Sequence, residues 1–217
     1  MRKMVWFFGV MFLGALGYGA PSAVSVMKSL SQLPASTKGR CLKEGSRAPQ
    51  ISLPTINGGR WDLKERLKEG PSVLVFYRGG WCPYCNIQLR QYEKVYAKMK
   101  PYKAQMVAIS VDRPDPKLLK DSGSSLSFSV ASDTQLKALS AFNLKQKLSA
   151  DMVEKYKNWD IDIEGSSGKK HHVIAVPALV VVDQKGVVRF CYASENYKVR
   201  PAGEVLLHKL KEIEKSS

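Results

Sequence analysis

Apolar residues fall along the chain in blocks whose internal spacing changes, and those changes outline the elements. Residues 72–77 (Ser-Val-Leu-Val-Phe-Tyr) form an uninterrupted apolar, β-branched run, the pattern of a central strand buried on both faces. After Gly79-Gly80 the rhythm switches: Cys85, Leu89, Tyr92, Tyr96 and Met99 recur at helical spacing, which predicts one face of a helix ending before Pro101. Residues 105–111 (Gln-Met-Val-Ala-Ile-Ser-Val) read as a second buried strand, 118–126 as a short helix and 128–131 as a third strand. Asp133 then stands where it can cap a helix bearing Leu136, Leu139 and Phe142. Upstream, residues 48–54 and Trp61-Asp62-Leu63 flank Asn57-Gly58-Gly59 and read as a small hairpin.

Residues 143–172 are the least regular. An amphipathic piece around Met152, Tyr156 and Trp159 and a flexible Gly165-Ser166-Ser167-Gly168 stretch read there as an insertion. Beyond it, residues 178–182 are a buried strand, Asp183-Gln184-Lys185-Gly186 a hairpin turn and 187–192 the partner strand. Pro201 opens a final helix over 202–215, with Val205, Leu206, Leu210 and Ile213 on its apolar side. The order predicts an α/β fold: a central mixed sheet flanked by helices, with an N-terminal hairpin and an insertion before a proline loop.

A chain of 217 residues suits one domain, and 44% apolar with 24% charged residues excludes disorder and multiple membrane spans. The start differs from the rest. Arg2 and Lys3 precede an apolar run over 4–16 and then small residues, the layout of a secretory signal peptide, assigned to 1–25. The run is shorter than the ~20 residues of a spanning helix, so membrane contact is expected only transiently, through this segment. Residues 26–40 read as a flexible leader and 41–217 as the domain, which is expected to be exported to the periplasm. The formal charge of +15 falls only to +13 without Arg2 and Lys3, so the domain itself is basic. No compact basic stretch is interleaved with aromatics, and a lysine-rich solvated face, without nucleic acid as partner, is the reading.

The chemistry lies in the cysteines, Cys41, Cys82, Cys85 and Cys191. A bridge closing the short loop from Cys82 to Cys85 adds only ~2 kcal/mol of loop entropy, whereas one from Cys41 to Cys191 reaches ~5. The central pair is therefore not a staple. For Cys41 and Cys191, pairing, free thiols and a part in resolving a sulfenic acid all stay open. Only a thiolate attacks disulfides or peroxides, and a helix start, with unpaired amides and roughly +0.5 charge, stabilises one. Trp81-Cys82-Pro83-Tyr84-Cys85 sits at such a start, with Pro83 restricting the turn between the two sulfurs. A metal site would need further ligands, and Cys41, Cys191, His171 and His172 offer no second pair of suitable spacing, so no metal or other cofactor is expected.

Three residues support the pair in this reading. Trp81 beside the cysteines shields them, Arg78 stabilises a thiolate or orients a peroxide, and Pro177, before the strand at 178–182, faces the sulfurs from a loop. The Val176–Pro177 bond is expected to be cis. His171 and His172 read as solvated, without a catalytic role.

The stretch Phe76-Tyr77-Arg78-Gly79-Gly80-Trp81-Cys82-Pro83-Tyr84-Cys85-Asn86, with Val176-Pro177-Ala178-Leu179-Val180-Val181-Val182-Asp183-Gln184-Lys185-Gly186 downstream, resembles the peroxiredoxin-like branch of the alkyl hydroperoxide reductase and thiol-specific antioxidant family. The likeness runs from about Cys41 to the last helix and implies a thioredoxin-like fold, with Ala48-Pro49 and Leu53-Pro54 as the opening segment and 154–163 in the insertion. It also implies a thiol peroxidase that reduces hydrogen peroxide or organic hydroperoxides and is recharged by a thioredoxin-like or other dithiol reductant. In the family's register Cys85 takes the peroxide-attacking position, while Cys82 and Arg78 replace a threonine and a proline. The register of thioredoxins instead makes Cys82 the nucleophile and Cys85 its resolving partner. With that second register goes a second activity, a periplasmic thiol-disulfide oxidoreductase acting on protein disulfides.

Overall fold

The computed structural model describes residues 31–115, 117 and 126–216. The signal segment, the first part of the leader and all but the last residue of the helix expected at 118–126 lie outside the described residues.

The expected hairpin forms: β1 (Ser52–Pro54) pairs antiparallel with β2 (Arg60–Asp62), with Leu53 opposite Trp61. It leads directly into a helix that the apolar pattern did not single out, α1 (Leu63–Glu69). Asp62 caps it by accepting the Glu65 amide, and Leu63 and Leu67, one turn apart, are its buried face. β3 (Ser72–Phe76) follows, buried at every position, and leads through the Gly-Gly turn into α2 (Pro83–Tyr96). That α-helix ends before Pro101, as expected, but the chain does not leave helical geometry there. It tightens into a 3-10 segment, Ala97–Tyr102, whose dihedrals suit the fixed φ of proline, and it closes on Lys103 in the left-handed conformation.

β4 (Gln105–Ser110) and β5 (Ser129–Ser132) come next, then α3 (Lys137–Ala141), whose first amides are met by the Asp133 carboxylate: Lys137 N at 2.8 Å and Leu139 N at 2.8 Å. The insertion is more ordered than its sequence suggested. β6 (Lys145–Lys147), α4 (Ala150–Asn158) and α5 (Ile163–Ser167) precede β7 (Val173–Ala175), which pairs back onto β6. The stretch read as flexible, 165–168, is the end of α5: Asp162 caps that helix at the Gly165 amide and Gly168 ends it with φ 65°. β8 (Ala178–Val182), β9 (Val188–Ala193) and α6 (Gly203–Lys215) complete the chain.

The main sheet has the order β5-β4-β3-β8-β9, with β3, β4 and β5 parallel and β8 and β9 antiparallel additions. Alternation along β3 divides its side chains between two cores. Leu74 and Phe76 face one core with Trp61, Leu63, Ile109, Phe142 and Val180. Val73, Val75 and Tyr77 face the other, with Leu89, Tyr92, Met106, Leu179, Leu206 and Leu210, so α2 and α6 cover that side. At roughly 1.5–3 kcal/mol for each large aliphatic side chain fully buried, this two-sided burial fixes β3 as the axis of the fold. A third, smaller core belongs to the insertion: Leu148, Val153, Tyr156, Ile163 and Ile174.

The described part of the leader is tied to β9, so structure starts earlier than Cys41. Thr37 N–H reaches Ala193 O at 2.9 Å, and Arg40 pairs with Glu195 at 2.8 Å. Cys41 and Cys191 form a disulfide.

Candidate active site

The turn after β3 is shaped by contacts that require its glycines. A Cβ on Gly79, at φ 154°, would lie 2.3 Å from Trp81 Nε1 and 2.9 Å from Asp112 Oδ1, so no other residue lets the indole fold over the turn. Gly80 N–H donates to Asp112 Oδ2 at 2.7 Å, and the Asn86 amide donates to Gly80 O at 2.8 Å. Asp112 is buried, and burial raises its carboxyl to about 6 against the hydrogen bonds from Gly80 and Ser110. Thus fixed, the chain enters α2 with Cys82 at the N-cap and Pro83 in the first turn, where a missing amide hydrogen has no consequence.

Cys82 and Cys85 are free thiols, and the Cys85 thiol donates to the Cys82 sulfur across 2.9 Å. That hydrogen bond is the chief reason the Cys82 thiol is held below the usual thiol range. The Cys85 amide and the charges of Arg78 and Arg200 add to it against burial. Burial pushes the Cys85 thiol well up, and the neighbouring Cys82 adds to this. The hydrogen bond and the two opposite shifts favour negative charge on Cys82 and the proton on Cys85. Two arginines attend it: Arg78 Nη1 lies 3.9 Å from the Cys82 sulfur and Arg200 Nη2 lies 3.6 Å from the Cys85 sulfur.

Arg78 is buried, with its guanidinium 4.2 Å from the Tyr197 ring centroid and 4.9 Å from that of Trp81, and it donates to the Tyr156 hydroxyl. These aromatics wall a pocket of about 220 Å³ with Cys82 in its lining. Cys85 is not among the lining residues. Tyr156 and Trp159 come from the insertion, with ring centroids 5.8 Å apart, and Tyr156 packs 5.6 Å from Trp81.

The structure therefore gathers Cys82, Cys85, Trp81 and Arg78 at one point. The cis bond expected at Pro177 is not found: no peptide bond among the described residues is cis, so the Val176–Pro177 bond is trans. Val176 N–H donates to Leu144 O and Pro177 O accepts from Ser194 N–H, so hydrogen bonds to two separate segments hold the trans bond on either side. Pro177 is buried and does not line the pocket. His172 pairs with Glu164 at 2.6 Å, and neither histidine lines the pocket.

Sequence reasoning passed over Arg200, Tyr197 and Asp112, and it placed Tyr156 only in an insertion. Arg200 is brought in by the carbonyl of the next residue: Tyr92 OH, on α2, donates to Pro201 O at 2.9 Å. The signal for Tyr156 was present in the spacing of Met152, Tyr156 and Trp159, a face that turns out to cover the site.

Comparison with known proteins agrees with this geometry. The sequence profile of the AhpC/TSA family matches residues 45–191. Among solved structures, Peroxidoxin BcpB from Mycobacterium tuberculosis superposes with a TM-score of 0.60 at 18% identity, covering 81% of this chain and 99% of that one. The AhpC of the same organism gives 0.59 at 15% identity, covering 82% and 96%. At such identities the likeness is one of fold. A curated relative, thiol-disulfide oxidoreductase ResA of Halalkalibacterium halodurans, is 24% identical over 106 residues, 48% of this chain, and the chain spans 58% of that protein's length. With the family profile matched over most of its length and a thioredoxin-like sheet carrying two thiols at the start of a helix, the chain belongs to the AhpC/TSA family.

Proposed function

We propose that the protein is a thiol peroxidase in which Cys82 attacks the peroxide and Cys85 resolves it. The observation that carries this reading is the asymmetry of the pair: both thiols are buried, but Cys82 lines the pocket and accepts the Cys85 hydrogen, while Cys85 does not line it. In the first step the Cys82 thiolate attacks the terminal peroxide oxygen. The O–O bond breaks, Cys82 becomes a sulfenic acid, and the departing alkoxide or hydroxide takes a proton from water. The Cys85 sulfur then attacks the Cys82 sulfur, its proton leaves with the sulfenic hydroxyl as water, and the Cys82–Cys85 disulfide forms. Two electrons have passed from the dithiol to the peroxide, and an external dithiol restores them by exchange. This order follows the thioredoxin register of the motif rather than the peroxiredoxin one.

The test is single-turnover mass spectrometry of the two variants. Cys85→Ser should accumulate a dimedone-labelled sulfenic acid on Cys82 after one equivalent of hydrogen peroxide, whereas Cys82→Ser should not react. Labelling of Cys85 in Cys82→Ser would reverse the assignment.

A second reading, oxidoreduction of protein disulfides, has the ResA likeness and the Cys-x-x-Cys motif behind it. Peroxide consumption set beside reduction of a protein disulfide, with the same dithiol donor, separates the two. Export to the periplasm belongs to the same proposal. Its support is the secretory pattern of the first residues and the Cys41–Cys191 disulfide, a bond that persists in oxidising compartments.

A further inference from the structure

Among the described residues three large hydrophobic side chains are exposed, and they lie together. Tyr84, 43% exposed, and Trp159, 56% exposed, both line the mouth of the Cys82 pocket. Ile87, 48% exposed, is one turn along α2 from Tyr84. Scattered singly, such residues need no explanation, but gathered round one opening they mark a contact surface.

The same surface is basic. Lys198 Nζ lies 5.8 Å from the Tyr84 ring centroid and Lys155 Nζ 5.0 Å from that of Trp159, so each exposed ring carries an ammonium over it. Along α2 and the 3-10 turn after it, Tyr84, Ile87, Gln91, Lys94 and Lys98 form an exposed stripe at helical spacing. The stripe runs from apolar beside the thiols to basic at its far end. None of these four lysines makes an ion pair among the described residues. Carboxylates are sparse here. Glu204 shares a groove with Lys94 and Lys98, and helical spacing turns Asp151 and Glu154 away from the Met152-Tyr156-Trp159 face of α4.

We infer that this face docks on the surface of an anionic phospholipid bilayer, with Tyr84, Ile87 and Trp159 at headgroup level, the lysines among the lipid phosphates and the pocket mouth turned to the membrane. Tyrosine and tryptophan favour that boundary because ring and polar tip meet its apolar and wet layers together. Lysine stems cover apolar surface while their charges reach the phosphates. A folded protein partner requires a close-packed apolar centre, whereas here the apolar residues ring an opening of about 220 Å³, a shape to which a fluid interface conforms. The formal charge of +15 adds attraction toward an extended anionic surface. Among the described residues no helix is long and apolar enough to cross a membrane, so the contact is with the bilayer surface. This docking is separate from the transient contact expected of the N-terminal segment, and it does not rest on the peroxidase reading.

Two readouts on the full chain test it, with vesicles of phosphatidylcholine alone or mixed with phosphatidylglycerol. The first is co-sedimentation. The protein should favour the mixed vesicles, and Lys155→Gln and Lys198→Gln should each weaken that partition about fivefold. Trp159→Gln and Ile87→Gln, at exposed positions that tolerate a polar side chain, should weaken it several-fold. Lys64→Gln should change it little, because α1 packs on the other face of the sheet from α2. The second readout is at the site: mixed vesicles should slow alkylation of Cys82 by iodoacetamide several-fold, and Trp159→Gln should restore the rate. Binding that leaves Cys82 unshielded, or that Lys64→Gln weakens as much as Lys155→Gln, would overturn the assignment in favour of net charge or the N-terminal apolar run. Shielding that grows with protein concentration in the absence of lipid would overturn it in favour of a second copy. Shielding by poly-glutamate but not by vesicles would overturn it in favour of an acidic polypeptide.

Discussion

Cys41 and Cys191, 150 residues apart in sequence, are bonded to each other, and the bond fastens the segment before the hairpin to the edge strand β9. β9 runs on into residues 194–200, which deliver Tyr197 and Arg200 to the thiols. The staple and the reactive pair thus divide the four cysteines between structure and chemistry.

Removing the staple should therefore lower stability more than reactivity. A loop of this length limits the chain-entropy gain to about 5 kcal/mol, and native disulfides commonly contribute roughly 2–5 kcal/mol. The double substitution Cys41→Ala with Cys191→Ala should lose stability in that range in urea unfolding. Below the transition, Cys82 should still form the sulfenic acid.

The ionisation of Cys82 gives the second prediction. A thiol whose pKa is lowered in the folded protein is already thiolate at pH values where a free cysteine is protonated. Alkylation of Cys82 should accordingly rise with pH through a midpoint below the ordinary ~8.5. Cys85→Ala removes the hydrogen bond that contributes most, and Arg78→Met removes a nearby positive charge, so both should move the midpoint upward. A midpoint that stays in place in Cys85→Ala would contradict the placement of the proton on Cys85.

Much of this was legible in the sequence because the decisive signals were local. The unbroken run from Val73 to Tyr77 marks a strand covered on both faces, and Pro83 after Cys82 marks a helix start. What escaped depends on contacts distant in sequence. Nothing around Arg200 tells that Tyr92 will hold the next carbonyl and set its guanidinium 3.6 Å from Cys85. The flexible reading of residues 165–168 failed for a related reason: Gly165 and Gly168 look like breakers, but their roles, amide donor to the cap and left-handed terminus, emerge only once Asp162 is seen to start a helix. The cis bond expected at Pro177 came from the order of elements, which does not report how Val176 and Pro177 hydrogen-bond on either side.

Gly79→Ala should damage the site more than any other small change. The added methyl meets the Trp81 indole at 2.3 Å and the Asp112 carboxylate at 2.9 Å, in a backbone conformation L residues rarely adopt. A cost of ~1–3 kcal/mol is expected from the strain alone. Relief requires Trp81 to swing away from Arg78, so peroxide turnover should fall over tenfold together with a change in tryptophan fluorescence. Preserved turnover would show that the indole has no part in organising Arg78.

Arg200 should act on the second step rather than the first. Its positive charge favours the Cys85 thiolate against burial, and resolution needs that thiolate. Arg200→Met should then form the Cys82 sulfenic acid at close to the normal rate and convert it slowly to the disulfide, visible as dimedone adduct in a protein retaining both cysteines. Tyr92→Phe, which frees Pro201 O from its donor, should shift the balance in the same direction by less.

The separate small core of the insertion gives that segment its own local cooperativity. Leu148, Val153, Tyr156, Ile163 and Ile174 bury far less surface together than the cores astride β3, so this unit can open while the main sheet stays closed. Amide hydrogens of α4 should exchange at a lower opening free energy than those of β3 and β8. Each such opening withdraws Tyr156 from Arg78 and unroofs the thiols, so the rate at which this unit breathes sets a ceiling on how fast a bulky dithiol reductant reaches the buried disulfide.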